Sequence, residues 1–250
     1  MKKTIARRGK RIMADVLFRA RRTFVEKSLD PARDSILISW ATYSPWLLDR
    51  EFQAVHRAIA ANTLVDLYRC YELWHLVSQV KDLDGDILEV GTWRGGTGAL
   101  LGARAKALGL GCEVFLCDTF TGVVKATAAD KSYRGGEHAD TTEPLVRGLC
   151  DGLGLDNIRI LRGIFPDDTA GQVSDRRFRL CHIDVDAYQS GKDVLAWAWE
   201  RMPVGGVVVF DDFGFPSTVG IARLVHEWEG RSDLVSVQNI NGHAVFVKTR

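Results

Sequence analysis

Long hydrophobic runs are missing from the 250-residue sequence: none reaches the ~18–20 apolar residues that a membrane-spanning helix needs. The basic N-terminus also lacks the continuous apolar core and small-residue cleavage site of a secretory signal, so a soluble, unexported, cytoplasmic protein is expected. Cysteine is sparse. The five present, Cys70, Cys112, Cys117, Cys150 and Cys181, are odd in number and show no CxxC spacing, which points to reduced thiols and away from a zinc site. Internal repeats and low-complexity tracts are absent. With 46% hydrophobic and 26% charged residues, disorder is excluded, and the length suits one large α/β domain or two small ones. No sign of charge dominates, since 33 Lys/Arg stand against 32 Asp/Glu. Residues 1–30 nevertheless hold ten basic and three acidic residues, leaving 23 and 29 for residues 31–250. The acidic body offers no basic groove, so nucleic acid is not an expected partner.

What is present begins with a helical stripe. Ile12, Met13, Val16, Leu17, Ala20 and Phe24 recur at three- and four-residue steps among Arg11, Arg19, Arg21 and Arg22, which predicts a basic amphipathic helix within residues 1–30. Such a helix can bury its stripe against the domain or a second subunit of a homo-oligomer, or make peripheral contact with an anionic membrane at its inner face. Residues 31–81 read as a helical, lid-like segment. Asp30-Pro31 and Ser44-Pro45 punctuate its first part, where Trp40, Tyr43 and Trp46 look exposed and the chain could close over a pocket. From Glu51 to Val80 the pattern is helical, ending before the Asp84-Gly85 turn.

Residues 82–250 alternate short β-branched runs with helical windows. The runs are Ile87–Val90, Val114–Cys117, Ile158–Leu161, Leu180–Ile183, Val207–Phe210, Leu234–Val237 and Ala244–Val247. Helical windows fall at Thr97–Leu108, Thr142–Leu153, Ser190–Arg201 and Thr218–Glu229. This predicts an α/β fold with a doubly wound, mostly parallel seven-stranded sheet, and a final hairpin through Asn239–Gly242 adding an antiparallel strand. Ligands of such sheets bind beyond the carboxyl ends of the strands, so the residues after each run are the candidates for chemistry.

The first run leads into Glu89-Val90-Gly91-Thr92-Trp93-Arg94-Gly95-Gly96-Thr97. Glycines at a strand-to-helix turn admit a ligand close to the backbone, and the helix starting near Thr97 offers free N–H groups. The spacing is GxxxGG, unlike the GxGxxG of dinucleotide sites, and the acidic Glu89 would repel phosphate but hold an ammonium group. That favours S-adenosylmethionine. The second run ends at Asp118-Thr119-Phe120, where a carboxylate can accept both ribose hydroxyl protons and Phe120 could cover the adenine. The third leads to Gly163-Ile164, whose backbone could read the base. The candidate cofactor contacts are therefore Glu89, Gly91, Trp93, Gly95, Thr97, Asp118, Thr119, Phe120, Gly163, Ile164 and Asp184.

The fourth run ends His182-Ile183-Asp184-Val185-Asp186 and the fifth ends Phe210-Asp211-Asp212. If these strands are neighbours, Asp184, Asp211 and Asp212 converge, and carboxylates so close shift toward protonation unless a cation joins them. Three hard oxygen ligands with no His or Cys suit Mg²⁺, or else Ca²⁺ or Mn²⁺, better than zinc. Asp186 is left free as general base for an acceptor hydroxyl. The bland alternative has Asp184 and Asp212 as helix caps. His182 reads as a hydrogen-bonded core residue, and His138 as loop surface within Thr121–Pro144.

These motifs resemble the macrocin O-methyltransferase family of S-adenosylmethionine- and magnesium-dependent sugar O-methyltransferases. The resemblance rests on Glu89-Val90-Gly91-Thr92-Trp93-Arg94-Gly95-Gly96, Asp118-Thr119-Phe120-Thr121-Gly122, Gly163-Ile164-Phe165, Asp184-Val185-Asp186-Ala187-Tyr188-Gln189-Ser190, and Gly205-Gly206 through Asp211-Asp212, and covers most of residues 62–250. It implies a Rossmann-like methyltransferase domain, cofactor contacts from Glu89, Gly91 and Asp118, metal ligands Asp184, Asp211 and Asp212, and Asp186 as base. It also implies a lid before Thr63 carrying Tyr43 and Trp46, over a small-molecule or glycan acceptor. The chain departs from the family pattern at Val123-Val124, where leucine-proline is usual, and in its basic first thirty residues. Two other readings are a catechol-type phenol methyltransferase and a cofactor-binding protein without turnover.

Overall fold

Each β-branched run becomes a strand: β1 Asp86–Val90, β2 Val114–Asp118, β3 Ile158–Arg162, β4 Phe178–Ile183, β5 Val207–Phe210, β6 Leu234–Gln238 and β7 Ala244–Lys248. The computed structural model describes residues 32–34 and 41–250. Ser44–Arg250 forms one compact unit. The amphipathic helix expected in residues 1–30, and Trp40, lie outside the described residues.

The strands form one sheet in the order β3-β2-β1-β4-β5-β7-β6. All pairs are parallel except those of β7, which runs antiparallel to β5 and β6. The expected final hairpin is there, with β7 inserted between β5 and β6. Because the chain starts in the middle and winds outward in both directions, the β1/β4 junction is a switch point, where a crevice opens at the carboxyl edge.

Helices cover both faces. Along β1, Leu88 and Val90 point to a layer built from α5 (Tyr188–Glu200) and α6 (Val219–Trp228), with Val194, Leu195, Ile221 and Leu224 fully or almost fully buried. Ile87 points the other way, to α1 (Arg50–Ile59), α2 (Leu67–Gln79), α3 (Gly96–Ala107) and α4 (Glu143–Gly152). This alternation is the period-two signature of a strand covered on both sides. Phe52, Leu73 and Trp74 tie α1 and α2 to the sheet, each contributing roughly 1.5–3 kcal/mol by burial. The Trp74 indole N–H is satisfied by Asp49 Oδ2 at 2.9 Å.

The single helical stretch expected from Glu51 to Val80 is instead two helices. Asp66 breaks it: its carboxylate accepts the N–H groups of Tyr68 and Arg69, capping a new helix, while Thr63 Oγ1 accepts the Val65 N–H. The Asn62 carbonyl accepts the Gly96 N–H at 3.0 Å, which pins the break beside the loop after β1. Trp46, expected to be exposed, is half-buried edge-on against Tyr68 and Tyr71.

Candidate active site

Two glycines set the distances on the cofactor side. Gly91 has φ +88°, and a Cβ there would stand 1.6 Å from the Asp184 carbonyl oxygen, so only glycine lets the ends of β1 and β4 meet. Gly98 brings α3 down on the sheet, where a Cβ would lie 2.5 Å from Leu116 Cδ2 and 2.6 Å from Glu89 Oε2. Asp118, at the end of β2, holds the intervening loop. Its Oδ2 accepts the N–H groups of Thr92 and Trp93, both at 2.8 Å, and its Oδ1 accepts that of Phe120 at 2.7 Å. Burial raises the Asp118 pKa, and these three bonds offset only part of that rise.

A cavity of about 260 Å³ opens at the switch point. Of the residues expected to contact a cofactor, Gly91, Trp93, Thr97, Asp118, Thr119, Gly163 and Asp184 line it. Glu89, Gly95, Phe120 and Ile164 stand outside the lining. Glu89 is fully buried behind it, accepting from Thr92 Oγ1 at 3.1 Å and facing His182 Nδ1 at 3.0 Å. Gly95 is backed against Val146, Phe120 packs on the α1–α4 layer, and the Ile164 N–H is taken by Asp168 Oδ2 at 2.8 Å. Glu89 and Phe120 thus stand behind and beside the cavity, next to its lining residues Thr92 and Thr119.

The other half of the edge is acidic. β4 and β5 are paired in parallel with Ile183 opposite Phe210, so Asp184 and Asp211 follow at one level. Ligand oxygens of Asp184, Asp211 and Asp212 all lie within 4.8 Å of one another. Asp186 has φ +61° in a left-handed conformation, and its N–H donates to Asp212 Oδ2 at 2.8 Å, which points the turn back into the cluster. Tyr133, from the loop after β2, hydrogen-bonds the Asp186 carboxylate; burial and that contact push the phenol pKa up. His138, expected as loop surface, is exposed and also lines the cavity.

Asp184, Asp186 and Asp212 all have raised pKa values, first because burial penalises the charge and then because neighbouring carboxylates repel it. Among the described residues none of the three has an ion-pair partner. Asp211 is the exception. Burial raises it too, but hydrogen bonds with His182 and His243 and the charges of His243 and Arg69 outweigh that and hold it well below the usual carboxylate range. The His182 ring lies between Glu89 and Asp211; burial lowers its pKa, but these two acids override it and push it up to about 10. This donor set, hard oxygens with surplus negative charge, fits a divalent cation of the Mg²⁺ kind.

Sequence reasoning missed several residues. Arg69 pairs with Asp211 and Asp66, stacks on Phe215 at 4.7 Å and lines the cavity. Glu72 and His243 back Asp211, and Asn62–Val65 form one wall. The Asp66 cap was a readable signal for the last group. Nothing local marks the first three, because the contacts join positions some 140–170 residues apart.

Comparison with known proteins agrees with this geometry. The sequence profile of the macrocin-O-methyltransferase (TylF) family matches residues 40–249. The chain is 31% identical to the 8-demethyl-8-(2,3-dimethoxy-alpha-L-rhamnosyl)-tetracenomycin-C 4'-O-methyltransferase of Streptomyces olivaceus, over 81% of this chain and 79% of the relative. It is 30% identical to the mycinamicin III 3''-O-methyltransferase of Micromonospora griseorubida, over 68% and 71%. In fold it is similar to the O-methyltransferase NovP, with a TM-score of 0.67 at 23% identity, covering 76% of this chain and 83% of that one. From motif order, sheet topology and these likenesses together, the chain belongs to the macrocin O-methyltransferase family of O-methyltransferases.

Proposed function

We propose that the protein transfers the methyl group of S-adenosylmethionine to a hydroxyl of a sugar or glycoside in natural-product biosynthesis, with a divalent cation, Mg²⁺ by chemistry, at Asp184, Asp211 and Asp212. The observation that carries this reading is one cavity holding two different sites. Its β1–β2 wall is glycine-lined and ends in Asp118, and its β4–β5 wall is a carboxylate cluster in which Asp211 alone is ion-paired among the described residues. The sugar assignment leans on the two curated relatives, one named for O-methylating a rhamnosyl-bearing tetracenomycin and the other for O-methylating mycinamicin III.

In this reading Gly91 leaves room for the cofactor against the backbone, and Asp118 takes its ribose hydroxyls with the lone pairs that its three backbone donors leave free. A bound divalent cation would supply Lewis acidity, lowering the pKa of an acceptor hydroxyl. Asp186 accepts that proton at its carboxylate; a base whose pKa is raised by burial holds a proton better than an exposed aspartate does. Tyr133 orients the same carboxylate, and the wall at Asn62–Val65 excludes water. The test is a screen of labelled S-adenosylmethionine against sugar nucleotides, glycosides and catechols, after EDTA and again with Mg²⁺ restored. Methylation of a glycoside only with Mg²⁺ is expected. Turnover that ignores EDTA would remove the cation, and methylation of catechols alone would remove the sugar.

The basic residues 1–30 add a proposal of location: they would seat the enzyme on an anionic inner membrane face or in a homo-oligomer, near its acceptor. If deleting them leaves liposome binding and oligomeric state unchanged, that role falls.

A further inference from the structure

We infer that His182 and His243 are positioning residues for the divalent cation: together they grip Asp211 in the orientation that brings it into the Asp184–Asp211–Asp212 triangle, and α2 steadies that grip through Glu72. This rests on the cation reading given under the proposed function.

The two imidazoles come from different parts of the sheet edge and do the same thing. His182, in β4, directs Nε2 to Asp211 Oδ1 at 3.4 Å, and His243, just before β7, directs Nε2 to that same oxygen at 2.8 Å. Each ring is in turn oriented by a carboxylate at Nδ1, His182 by Glu89 at 3.0 Å and His243 by Glu72. Asn239, in the β6–β7 turn, donates to the same Glu72 oxygen and so fastens the turn to α2. Arg69 takes the other Asp211 oxygen. Three donors from β4, the start of β7 and α2 thus meet on one carboxylate and block its rotation from both sides.

Core filling does not explain this. Both imidazoles are fully buried, and burying polar rings is unfavourable unless each nitrogen finds a partner. Here each nitrogen does, and every partner is an acid. The layout is that of a metal ligand with its outer support, in which the group behind a ligand fixes its direction. Among the described residues Asp212 is held by the Asp186 N–H alone and neither it nor Asp184 has such a set of side-chain donors; the triangle's geometry is set at Asp211.

Mn²⁺, titrated into the full chain and followed by loss of the free-ion EPR signal, tests this. The unaltered chain is expected to bind, and Asp212→Asn to lose binding. His243→Leu should weaken binding about tenfold or more, the scale on which outer supports act. His243→Gln, whose amide can replace the Nε2–H donor, should stay within about threefold of the unaltered chain. Glu72→Gln keeps shape but loosens the hold on His243, so about a threefold loss is expected, and it decides the matter if His243→Leu does not fold. S-adenosylhomocysteine binding should be unchanged in the His243 and Glu72 variants. Folded His243→Leu and Glu72→Gln proteins that bind Mn²⁺ as tightly as the unaltered chain would overturn the proposal. So would histidine nitrogen couplings in pulsed EPR of the bound ion, which would make the imidazole a ligand. If the unaltered chain binds no Mn²⁺, the cation reading fails and takes this inference with it; the other two outcomes leave that reading standing.

Discussion

At the carboxyl edge of the sheet the β2 end and the β4–β5 ends both place an aspartate directly after a buried strand, yet the two are used differently. Asp118 is answered by three backbone N–H groups and serves as the keystone of a loop. Asp184, Asp186 and Asp212 crowd together at the cavity, none with an ion-pair partner among the described residues, and much of their charge is left for a ligand to answer. A carboxylate that the fold has satisfied should cost stability when removed. One that the fold has left unsatisfied should cost activity and cost stability little, or even add to it. The comparison can be broken by substituting on each side in turn.

The largest effect belongs to Asp186→Asn. Removing a general base is expected to lower turnover by about 10²–10⁴-fold. Binding of S-adenosylhomocysteine, read by calorimetry, should stay as it was, since Asp186 sits on the acceptor side. Retained turnover would discard Asp186 as base, and lost cofactor binding would merge the two halves of the edge into one site.

Asp118→Ala should do the reverse. It strands three backbone donors, each partner lost in a buried place costing about 1–3 kcal/mol before water compensates. A net loss of roughly 2–4 kcal/mol is expected, seen as a melting temperature lowered by several degrees, together with loss of S-adenosylhomocysteine binding. A melting temperature that does not move would mean that the loop after β1 holds its shape without Asp118.

Gly98→Ala probes the packing under the same half. Its Cβ would meet Leu116 and Glu89, and such overpacking costs about 1–3 kcal/mol, less about 1 kcal/mol regained because alanine favours a helix. Chemical denaturation should register a net loss of about 0–2 kcal/mol by those magnitudes; a stabilised variant would show that α3 can rise from the sheet freely.

How much of this was legible in the sequence follows from the range of the interactions. The central strands were readable because each is buried along its whole length and needs an unbroken apolar run; Val207–Phe210 has the same limits in sequence and structure. Asp184, Asp211 and Asp212 were readable because they follow such runs. The break between α1 and α2 was overridden by apolar periodicity that continues through it, although Asp66 marked a cap. Arg69, Glu72 and His243 could not be found locally, since Arg69 meets Asp211, and Glu72 meets His243, across more than a hundred residues, and His243 reaches Asp211 from a different element 32 residues on. Glu89 carries a second tie that the sequence hides for a related reason: its partner opposite in the sheet, His182, is known only once the strands are paired.

Asp212→Asn offers the smallest change and the sharpest contrast with Asp118→Ala. The amide keeps an oxygen to accept the Asp186 N–H, so the turn is preserved while one repelling charge is removed. Asp212 has its pKa raised in the folded state, by burial and then by Asp186 and Asp211, so its ionised form opposes folding. Without a cation, that penalty is absent below the unfolded aspartate value near 3.8 and grows as pH rises above it, because the unfolded chain gives up its proton more readily than the folded one. The variant lacks this penalty. In EDTA it should therefore be more stable than the unaltered chain at pH 7, by about 1 kcal/mol or a few degrees, with the difference narrowing toward pH 4. Saturating Mg²⁺ should reverse the order, since a ligand that binds only the folded unaltered chain stabilises it alone. Equal melting temperatures at both pH values would mean that the fold already neutralises this carboxylate, and the two halves of the edge would then differ in sequence but not in physics.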